Sequence, residues 1–305
     1  MNIIVFGSIN MDLTTYVPRL PRPGETLRGS SYITVPGGKG DNQAVAAARL
    51  GAQVKFIGRV GDDGFGREVL KIVTAENVDT SLVQVDPVHG TGLAVISVDE
   101  NAENSIIIIS GANIALDRSD IEKARSALKS AQVLLVQLEV NLEAALQVVK
   151  IAHELGVKVV FDPAPAQALP AEVYRQMNVI TPNETETEVL LGFRPTDEAS
   201  ALHAADEFLK RGVGTAVIKL GSQGVYYKNF EDSGFVAPFK VNAIDSVAAG
   251  DAFNGGLAVA LSEGKSMAEA VRWGAAAGAL ATTRQGAMPS MPYRMELLKL
   301  LDEQE

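Results

Sequence analysis

The sequence predicts an α/β fold built around a mainly parallel sheet. Along its 305 residues, short runs rich in Val and Ile alternate with amphipathic stretches rich in Ala and Leu. The runs are almost continuously apolar, which is typical of strands that helices cover on both faces. A composition of 47% hydrophobic and 21% charged residues is that of a globular chain and excludes extensive disorder.

The elements follow from this alternation in chain order. The apolar runs predict buried strands at Asn2–Gly7, Val54–Val60, Val133–Leu138, Val157–Phe161, Val179–Thr181 and Thr215–Leu220. The amphipathic stretches predict helices near Asn42–Leu50, Phe65–Glu76, Asp120–Lys129, Leu142–Leu155, Asp197–Arg211, Asp251–Ser262 and Met267–Ala281. Because helices separate most of the strands, we expect parallel pairing with helical crossovers.

Two stretches interrupt the alternation. Leu13–Val35 is rich in Thr, Pro and Gly without a helical period, and Gly92–Ser110 contains the β-like runs Leu93–Val98 and Ser105–Ile109. We interpret both stretches as antiparallel strands of a small sheet over one edge of the main body, a lid over the substrate. The sequence therefore predicts one domain over residues 1–305, with a discontinuous lid from about 13–35 and 92–110.

Composition excludes several classes of function. Without cysteine, the chain has no disulfide framework, thiolate zinc site, iron–sulfur cluster or cysteine nucleophile. The isolated His89, His153 and His203 lack the spacing of metal ligands. With 27 Lys and Arg against 37 Asp and Glu, and no basic run, nucleic acid is not an expected partner. No apolar stretch approaches the ~20 residues that span a bilayer, and the N-terminus reads as a strand, so we expect a cytoplasmic protein without a membrane partner.

The segment Asp245–Gly256 combines small residues with the start of a predicted helix. Backbone amides of Ala248, Ala249 and Gly250 can converge on one point, where the helix adds its positive dipole end, and so form an anion hole. Asp251 then lies in the first helical turn, where its carboxylate can accept a proton from an attacking hydroxyl. The alternative is structural, because acidic residues favour helix N-termini for dipole reasons alone.

A second glycine-rich cluster, Pro36–Gln43, precedes another predicted helix. Its glycines permit close approach to a polyhydroxylated ligand, and Asn42 can both donate to and accept from sugar hydroxyls. The alternative is a loop in which Asp41 or Asn42 caps the helix. Asn10 and Asp12 follow the first strand at its carboxyl end, where open α/β sheets bind ligands, although either one alone can be a turn residue.

The pair Asn183 and Glu186 has the spacing of a helix capping box. The functional alternative is that both organise a magnesium ion and its waters near nucleotide phosphates. Common nucleotide signatures are absent, because Gly264-Lys265-Ser266 lacks the leading glycine of a P-loop and follows a helix. No G-x-G-x-x-G opens a helix after the first strand, which argues against a dehydrogenase.

Several motifs occur together in the order of one kinase family. They are Gly7-Ser8-Ile9-Asn10-Met11-Asp12, Pro21-Arg22-Pro23-Gly24-Glu25-Thr26, Gly37-Gly38-Lys39-Gly40, Asn42-Gln43-Ala44, Val60-Gly61-Asp62-Asp63, Gln137-Leu138-Glu139, Pro182-Asn183-Glu184-Thr185-Glu186 and Ala248-Ala249-Gly250-Asp251. With these motifs the chain resembles the ribokinase-like, phosphofructokinase-B-type carbohydrate kinases over essentially its whole length. The resemblance implies a three-layer α/β/α body and a β-sheet lid that also forms a homodimer contact.

The resemblance also implies a reaction and its residues. The reaction is ATP-dependent phosphorylation of a primary hydroxyl, O5 of D-ribose, to give D-ribose 5-phosphate and ADP. Asp251 would be the base, and the amides of Ala248, Ala249 and Gly250 would hold the transferring phosphate. The implied sugar-binding residues are Asn10, Asp12, Gly38, Lys39, Asn42, Glu139 and Asp251. The implied residues on the nucleotide side are Asn183, Glu186, Lys219, Gly221, Gly224, Ala249 and Gly250.

Two ions accompany the reaction that the resemblance implies. Glu186 would hold Mg²⁺ through water. Potassium would activate indirectly, by shaping the anion hole. The implied K⁺ ligands are the side chains of Asp245 and Ser290 and the carbonyls of Val247, Ala281, Arg284 and Gly286.

Three positions depart from the family's common residues. Asp41 stands where alanine is common, Lys219 where threonine is common and Asp162 where asparagine is common. A charge at Asp41 would disfavour anionic sugars if it faces the pocket, through short-range repulsion. Alternative acceptors are therefore another neutral sugar or nucleoside, such as deoxyribose or a ketohexose, and a non-catalytic sugar-binding protein is an alternative of a different class.

Overall fold

The computed structural model describes residues 1–101 and 103–304. Within this range the strands are β1 (Asn2–Phe6), β2 (Asn10–Tyr16), β3 (Ser31–Gly37), β4 (Gln53–Ile57), β5 (Arg59–Gly61), β6 (Val78–Asp79), β7 (Gln84–Asp86), β8 (Gly92–Val98), β9 (Asn104–Ile109), β10 (Val133–Val136), β11 (Lys158–Phe161), β12 (Val179–Ile180), β13 (Thr215–Lys219), β14 (Val225–Lys228) and β15 (Ser233–Val236). The α-helices of the same range are α1 (Lys39–Arg49), α2 (Gly64–Ala75), α3 (Arg118–Leu128), α4 (Leu142–Glu154), α5 (Glu184–Leu191), α6 (Glu198–Arg211), α7 (Ala249–Ser262), α8 (Met267–Ala281) and α9 (Arg294–Glu303). Among these helices, none combines the length and the apolar character that crossing a bilayer requires.

The largest sheet contains nine strands of the described residues, in the order β15, β14, β13, β12, β11, β10, β1, β4 and β6. Strands from β13 to β6 pair in parallel, which confirms the predicted mainly parallel α/β sheet. Strands β14 and β15 add an antiparallel edge that the sequence prediction lacks. The parallel strands all end at the same edge of the sheet, so residues that follow them are brought together.

Hydrophobic cores lie on both faces of this sheet. Ile3 and Val5 of β1 face one core, whereas Ile4 and Phe6 face the other, because successive side chains of a strand point to opposite faces. Helices α1, α7 and α8 contribute to the first core, and α3, α4 and α6 contribute to the second. The result is a three-layer α/β/α body.

The predicted strand Val54–Val60 is wrong at its carboxyl end. Strand β4 ends at Ile57, and β5 pairs instead with β7 in a separate two-stranded sheet. The break falls at Gly58, where a Cβ atom would lie 2.8 Å from the carbonyl oxygen of Gly7. The apolar run is continuous across this point, so the pattern alone does not reveal the change of sheet.

A smaller sheet stands apart from the main one and contains β3, β2, β8 and β9 in that order. We refer to these four strands of the described residues as the lid sheet. The pairs β2–β3 and β8–β9 are antiparallel as predicted, but β2 and β8 pair in parallel. Parallel pairing is possible here because the long segment between β2 and β8 provides the crossover that such pairs require. Strand β2 begins at Asn10, so Asn10 and Asp12 belong to the lid sheet and not to a turn.

Candidate active site

Polar residues follow the carboxyl ends of neighbouring strands at one edge of the main sheet. Gln137 and Glu139 follow β10, Asp162 follows β11, and Lys219 is the last residue of β13. Asn183 follows β12 and forms an isolated parallel bridge with Lys219. This edge therefore gathers side chains from the two halves of the chain, as ligand sites of open α/β sheets do.

The turn before α7 has the backbone geometry of an anion-binding site. Ala248 adopts the left-handed conformation, with φ of 58°, and α7 begins at the next residue. Among the described side chains, none caps this helix N-terminus. The Ala249 amide donates to the Ser246 carbonyl over 3.3 Å, whereas the Gly250 amide has no intrahelical acceptor at this position of a helix. Together with the helix dipole, the Gly250 amide favours a bound anion, whereas the Ala249 amide is engaged by the Ser246 carbonyl and could only be shared with one.

Asp251 lies in the first turn of α7 and is only 5% exposed. Its carboxylate accepts hydrogen bonds from Asn42 Nδ2 and from Gln43 Nε2, each at 3.1 Å. Burial raises the pKa of Asp251 to about 6, against the opposing effect of the positive charge on Lys39. The side chain is thus held by residues of α1, and its pKa suits it to accept a proton near neutral pH.

The second glycine-rich motif brings the start of α1 against the first strands. Gly38 has φ of 106°, and a Cβ atom there would lie 2.9 Å from the Asn10 amide nitrogen. A Cβ atom on Gly40 would lie 2.6 Å from the Ser8 amide nitrogen. Glycine is required at both positions for conformation or space. The N-cap of α1 is Gly38 without a side-chain cap, so the interpretation of Asp41 or Asn42 as the N-cap is wrong.

Glu139 and Asp12 border this loop. Glu139 Oε2 accepts hydrogen bonds from Ser8 Oγ at 2.6 Å and from the Lys39 amide at 3.0 Å. The Asp12 carboxylate lies directly against Gly37, so close that a Cβ atom on residue 37 would clash with it. Burial raises the pKa of Asp12 to about 6, and the negative charge of Glu139 adds to the effect. Carboxylates placed in this way can accept hydrogen bonds from sugar hydroxyls.

Some residues without an individual role in the sequence prediction connect these groups. Gln137 Nε2 donates to Gln43 Oε1 at 2.6 Å, and Gln43 Nε2 donates to Asp162 Oδ2 at 2.9 Å. Asn113 Nδ2 donates to Asn10 Oδ1 at 2.7 Å and fixes that side chain. Gln43 and Gln137 occur inside motifs of the resemblance, which is a signal for them. Asn113 lies 103 residues from Asn10, and no local spacing indicates this contact.

The surroundings of Lys39 favour its charged form, whereas the surroundings of Asp41 favour its neutral form. Burial acts to lower the pKa of Lys39, but nearby carboxylates, first those of Asp251 and Asp162, outweigh burial and raise it. Asp41 is fully buried, and neither of its carboxylate oxygens has a hydrogen-bond partner among the described residues. Burial, reinforced by Asp12, raises the pKa of Asp41 well above its usual range. Lys39 is therefore held as an ammonium, whereas ionisation of Asp41 is disfavoured.

The predicted nucleotide side lies along β12 and β13. Asn183 and Glu186 form the capping box of α5, with Asn183 Oδ1 accepting from the Glu186 amide at 2.8 Å and Glu186 Oε2 accepting from the Asn183 amide at 2.7 Å. Burial raises the pKa of Glu186, while Lys219 opposes the effect. Gly221 and Gly224, with φ of 53° and 115°, form the turn after β13. The structure therefore contains the predicted capping box. Asn183 and Glu186 also lie at the edge of the main sheet where the other polar residues gather.

A magnesium ion at this edge would need ligands from outside the protein. In the part of the chain that the structure describes, no group of three Asp, Glu, His or Cys side chains is arranged to hold a metal ion. Magnesium commonly takes one or two protein carboxylates and completes its octahedral shell with water and substrate phosphates. The single carboxylate of Glu186 fits that mode of binding.

The residues predicted to hold potassium lie on two joined segments. Asp245 accepts from the Val247 amide at 3.0 Å and from the Gly286 amide at 2.8 Å. The Asp245 amide in turn donates to the Thr282 carbonyl at 3.1 Å, one residue beyond Ala281, the end of α8. Ser290 is fully buried, and Arg284 pairs with Glu296. The structure thus brings the segment before the anion hole against the segment after α8.

Comparison with known proteins reveals similarity over nearly the whole chain. A family model described as pfkB family carbohydrate kinase matches residues 1–294. The chain is 44% identical over 300 residues to a ribokinase of Haemophilus influenzae, with 98% of each protein covered. It is also 35% identical over 294 residues to a deoxyribokinase of Salmonella typhi, with 96% of each covered. Its structure matches that of an Arabidopsis thaliana ribokinase complexed with ribose and ATP, with a TM-score of 0.92, 33% identity and 98% of each chain covered.

Proposed function

Because the chain belongs to the pfkB family of carbohydrate kinases, we propose that it transfers the γ-phosphoryl group of ATP to O5 of D-ribose, giving D-ribose 5-phosphate and ADP. The family expected from the sequence motifs is confirmed. The observation that carries the proposal is the buried Asp251 carboxylate beside the anion-binding turn of α7, held by Asn42 and Gln43. The 44% identity to a ribokinase supports ribose as the acceptor. Since ATP is the phosphoryl donor, we expect the protein to act in the cytoplasm.

The base and the anion hole perform the chemical step. Asp251 accepts the proton of the O5 hydroxyl as that oxygen forms a bond to the γ-phosphorus. The bond between the γ-phosphorus and the β,γ-bridging oxygen breaks, and ADP leaves with that electron pair. The amides at Ala248, Ala249 and Gly250 stabilise the charge that the equatorial phosphoryl oxygens carry in the transition state. Asn183 and Glu186 would hold a magnesium ion near the phosphates, where it would supply neutralisation of their negative charge.

The sugar is proposed to bind between the lid sheet and α1. The lid sheet and the start of α1 both contribute polar groups here, and together these groups can hold several sugar hydroxyls at once. The proposed sugar contacts are Asn10, Asp12, Gly38, Lys39, Asn42, Glu139 and Asp251. Lid closure over this region would exclude water, which would otherwise compete with O5 for the phosphoryl group.

The nucleotide and the potassium ion occupy the remaining predicted positions. Lys219, Gly221 and Gly224 contact the nucleotide, together with the magnesium-side pair. The residues that would hold a potassium ion between the two joined segments are Asp245, Val247, Ala281, Arg284, Gly286 and Ser290. The proposal is supported by the Asp245 carboxylate, which accepts hydrogen bonds from the backbone amides of Val247 and Gly286. These bonds join the segment directly before Ala248 to the segment after α8. Occupancy of that position would fix the turn from which the anion hole is built.

The lid sheet is also proposed to form a homodimer contact. Its edge strand β9 exposes Ile106, Ile107, Ile108 and Ile109, each between 49% and 62% exposed. At the opposite edge, β3 exposes Tyr32 and Ile33. Apolar side chains on an unpaired strand edge are typical of an interaction surface. A second copy of the chain that covers these edges would bury them.

The proposed reaction can be tested by ADP release from ATP and Mg²⁺ over a panel of ribose, deoxyribose, fructose and nucleosides, with potassium or sodium. We expect fast turnover that is greatest with ribose and is stimulated by potassium. A maximum with deoxyribose would favour the second candidate, which the 35% identity to a deoxyribokinase supports. A sugar-free control measures background hydrolysis, and absence of turnover with every acceptor would contradict the proposal.

A further inference from the structure

Three of the places where the chain passes between the lid sheet and the main body meet at one side chain. Strand β2 enters the lid sheet at Asn10, β8 enters it at Gly92, and the chain leaves β9 for the short 3₁₀ helix Gly111–Ala115. Asn10 and Gly92 are register partners. Gly92 also lies so close to the side-chain amides of Asn10 and Asn113 that a Cβ atom on residue 92 would clash with both. Asn113, a residue of the 3₁₀ helix that is 1% exposed, therefore lies at the base of the lid sheet.

Hydrogen bonds to Ile9 fix the orientation of the Asn113 side-chain amide. Asn113 Oδ1 accepts from the Ile9 amide at 2.9 Å, and Asn113 Nδ2 donates to the Ile9 carbonyl at 3.1 Å. Exchange of the two side-chain atoms would place donor against donor and acceptor against acceptor. The second hydrogen of Asn113 Nδ2 is donated to Asn10 Oδ1 at 2.7 Å. The Asn113 carbonyl accepts from the Asn141 amide at 3.3 Å, which anchors this residue to the start of α4 in the main body.

The orientation of Asn113 determines that of Asn10. Because Asn10 Oδ1 is occupied by the Asn113 donor, Asn10 Nδ2 is the atom left for a ligand, and within residues 1–101 and 103–304 it donates to no other group. Asn10 and Asp12 are two residues apart in β2, so their side chains point to the same face of the lid sheet. The two side chains therefore present one donor and one acceptor instead of two acceptors. Sugar hydroxyls match such a pair, because each can accept one hydrogen bond and donate another.

We propose that Asn113 is a positioning residue for sugar recognition, which fixes the Asn10 amide so that Nδ2 donates to a sugar hydroxyl. The inference rests on the proposed binding of a sugar at Asn10. Without Asn113, the Asn10 amide would be free to turn and present Oδ1, which would compete with the Asp12 carboxylate for the hydrogens of the sugar. With Asn113, the site contacts one hydroxyl through a fixed donor. An analogue that lacks this hydroxyl leaves a buried N–H unpaired and is disfavoured.

Asn113→Asp reverses the atom that Asn10 presents to the sugar. At mildly alkaline pH, an ionised carboxylate keeps the acceptor for the Ile9 amide and places a second acceptor opposite Asn10 Oδ1, so the Asn10 amide turns. We expect N113D to weaken ribose binding about 30-fold in calorimetric titration. It should raise KM and leave kcat at saturating ribose within about threefold, because Asp251 and the turn before α7 are unchanged. Unchanged ribose affinity would overturn the proposal.

The matched control is Asn141→Asp, the same exchange at the N-cap of α4. The carboxylate keeps the oxygen that accepts from the Ala144 amide, so the helix remains capped. Asn141 has no proposed sugar contact and no side-chain contact with Asn10 among the described residues. N141D should therefore bind ribose as the wild type does.

A double-variant cycle separates the positioning of Asn10 from a general role in the fold. If Asn113 acts through Asn10, N113A weakens ribose binding about tenfold in the wild type but less than about twofold in the N10A background. The melting temperature should fall in both backgrounds, because the bonds to Ile9 are lost in both. With riboses that each lack one hydroxyl, N10A and N113A should lose the preference for the same hydroxyl. Equal losses of ribose affinity in the two backgrounds, or loss of preference at different hydroxyls, would overturn the proposal.

A measurement on the wild type keeps the proposal testable where a variant does not fold. In protein with isotope-labelled asparagine, ribose should shift the side-chain amide resonances of Asn10, because Nδ2 gains a hydrogen-bond acceptor. Those of Asn113 should stay in place, because both hydrogens of its Nδ2 are bonded already. A shift at Asn113 without one at Asn10 would overturn the proposal. If the wild type binds ribose without releasing ADP, the proposed function fails and the binding data still decide the role of Asn113, whereas a wild type that binds no sugar would overturn both.

Discussion

Asn42 Nδ2 donates to Asp251 Oδ2 at 3.1 Å, which joins the two glycine-rich motifs across 209 residues of sequence. Asn42 lies in the first turn of α1 and Asp251 in the first turn of α7, so each helix start positions the other. Because Asn42 is also a proposed sugar contact, the sugar and the base share one hydrogen-bond network. Binding of the sugar is therefore expected to affect the orientation of the base.

Asp251→Asn is expected to lower kcat by about 10³-fold, because an amide cannot accept the O5 proton. Binding of the sugar should persist, since Asn is isosteric and the other sugar contacts are unchanged. Steady-state kinetics and calorimetric titration with ribose measure the two effects separately. Asp302→Asn, at an exposed position of α9, serves as the matched control. Nearly normal turnover of Asp251→Asn would remove its assignment as the base.

The pH dependence of kcat/KM should report the raised pKa values of Asp251 and Asp12, both about 6. Each carboxylate is proposed to act in its ionised form, so activity is lost as the pH falls through about 6. When both groups titrate, the slope of log kcat/KM against pH approaches about 2 on the acid side. Asp12→Asn should reduce this slope to about 1. A profile that stays flat down to pH 5 would contradict the assignment of both groups.

The sequence predicts the main sheet, the helices of both cores and the two glycine-rich motifs because each has a local signal. Apolar runs and amphipathic periods depend only on neighbouring residues, and the motifs depend on backbone requirements such as the positive φ of Gly38. The features that the sequence does not predict are set by distant contacts. Strand β5 leaves the main sheet at Gly58, which lies against Gly7, and β2 pairs in parallel with β8 across the intervening crossover.

Local sequence patterns also do not predict the electrostatics of the site. The sequence indicates that Asp41 departs from the family's common residue, but only the structure reveals that it is fully buried without a hydrogen-bond partner among the described residues. Similarly, Lys219 and Asp162 are separate departures in the sequence and become one ion pair in the fold. Which charges form an ion pair can be identified only when the packing of the strands is known, if the charges lie far apart in the chain.

Asp41→Ala should stabilise the protein at neutral pH. The pKa of Asp41 is raised by burial, so the folded state binds the proton more tightly than the unfolded state. The stabilising contribution is complete below the usual pKa near 4 and is lost as the pH rises through the raised value. We expect a melting temperature about 2 °C above the wild type at pH 7, with the difference shrinking toward pH 4. A difference that is constant or grows toward low pH would contradict this account; Asp302→Ala is the control.

Ile107→Glu should disrupt the proposed homodimer. A carboxylate in the middle of β9 would be desolvated by a second copy that covers this edge. Analytical ultracentrifugation should give a dimer for the wild type and a monomer for the variant. Val88→Glu, at an exposed residue outside the lid sheet, is the control and should remain dimeric. A monomeric wild type at micromolar concentration would contradict the interface.

Binding of sugar should slow amide hydrogen exchange in the lid sheet. Asn10 and Asp12 at the start of β2 are proposed sugar contacts, so a bound sugar should oppose local opening of the sheet. We expect protection to increase in residues 13–35 and 92–110 when ribose is added. Protection should remain unchanged in α4, which packs in the core on the other face of the main sheet from Met11 of β2. Nucleotide without sugar should leave the lid unprotected, because its proposed contacts lie at β12, β13 and α7. Unchanged exchange in both lid segments at saturating ribose would contradict the lid assignment, whereas protection spread over the whole chain would indicate general stabilisation by ligand and not closure.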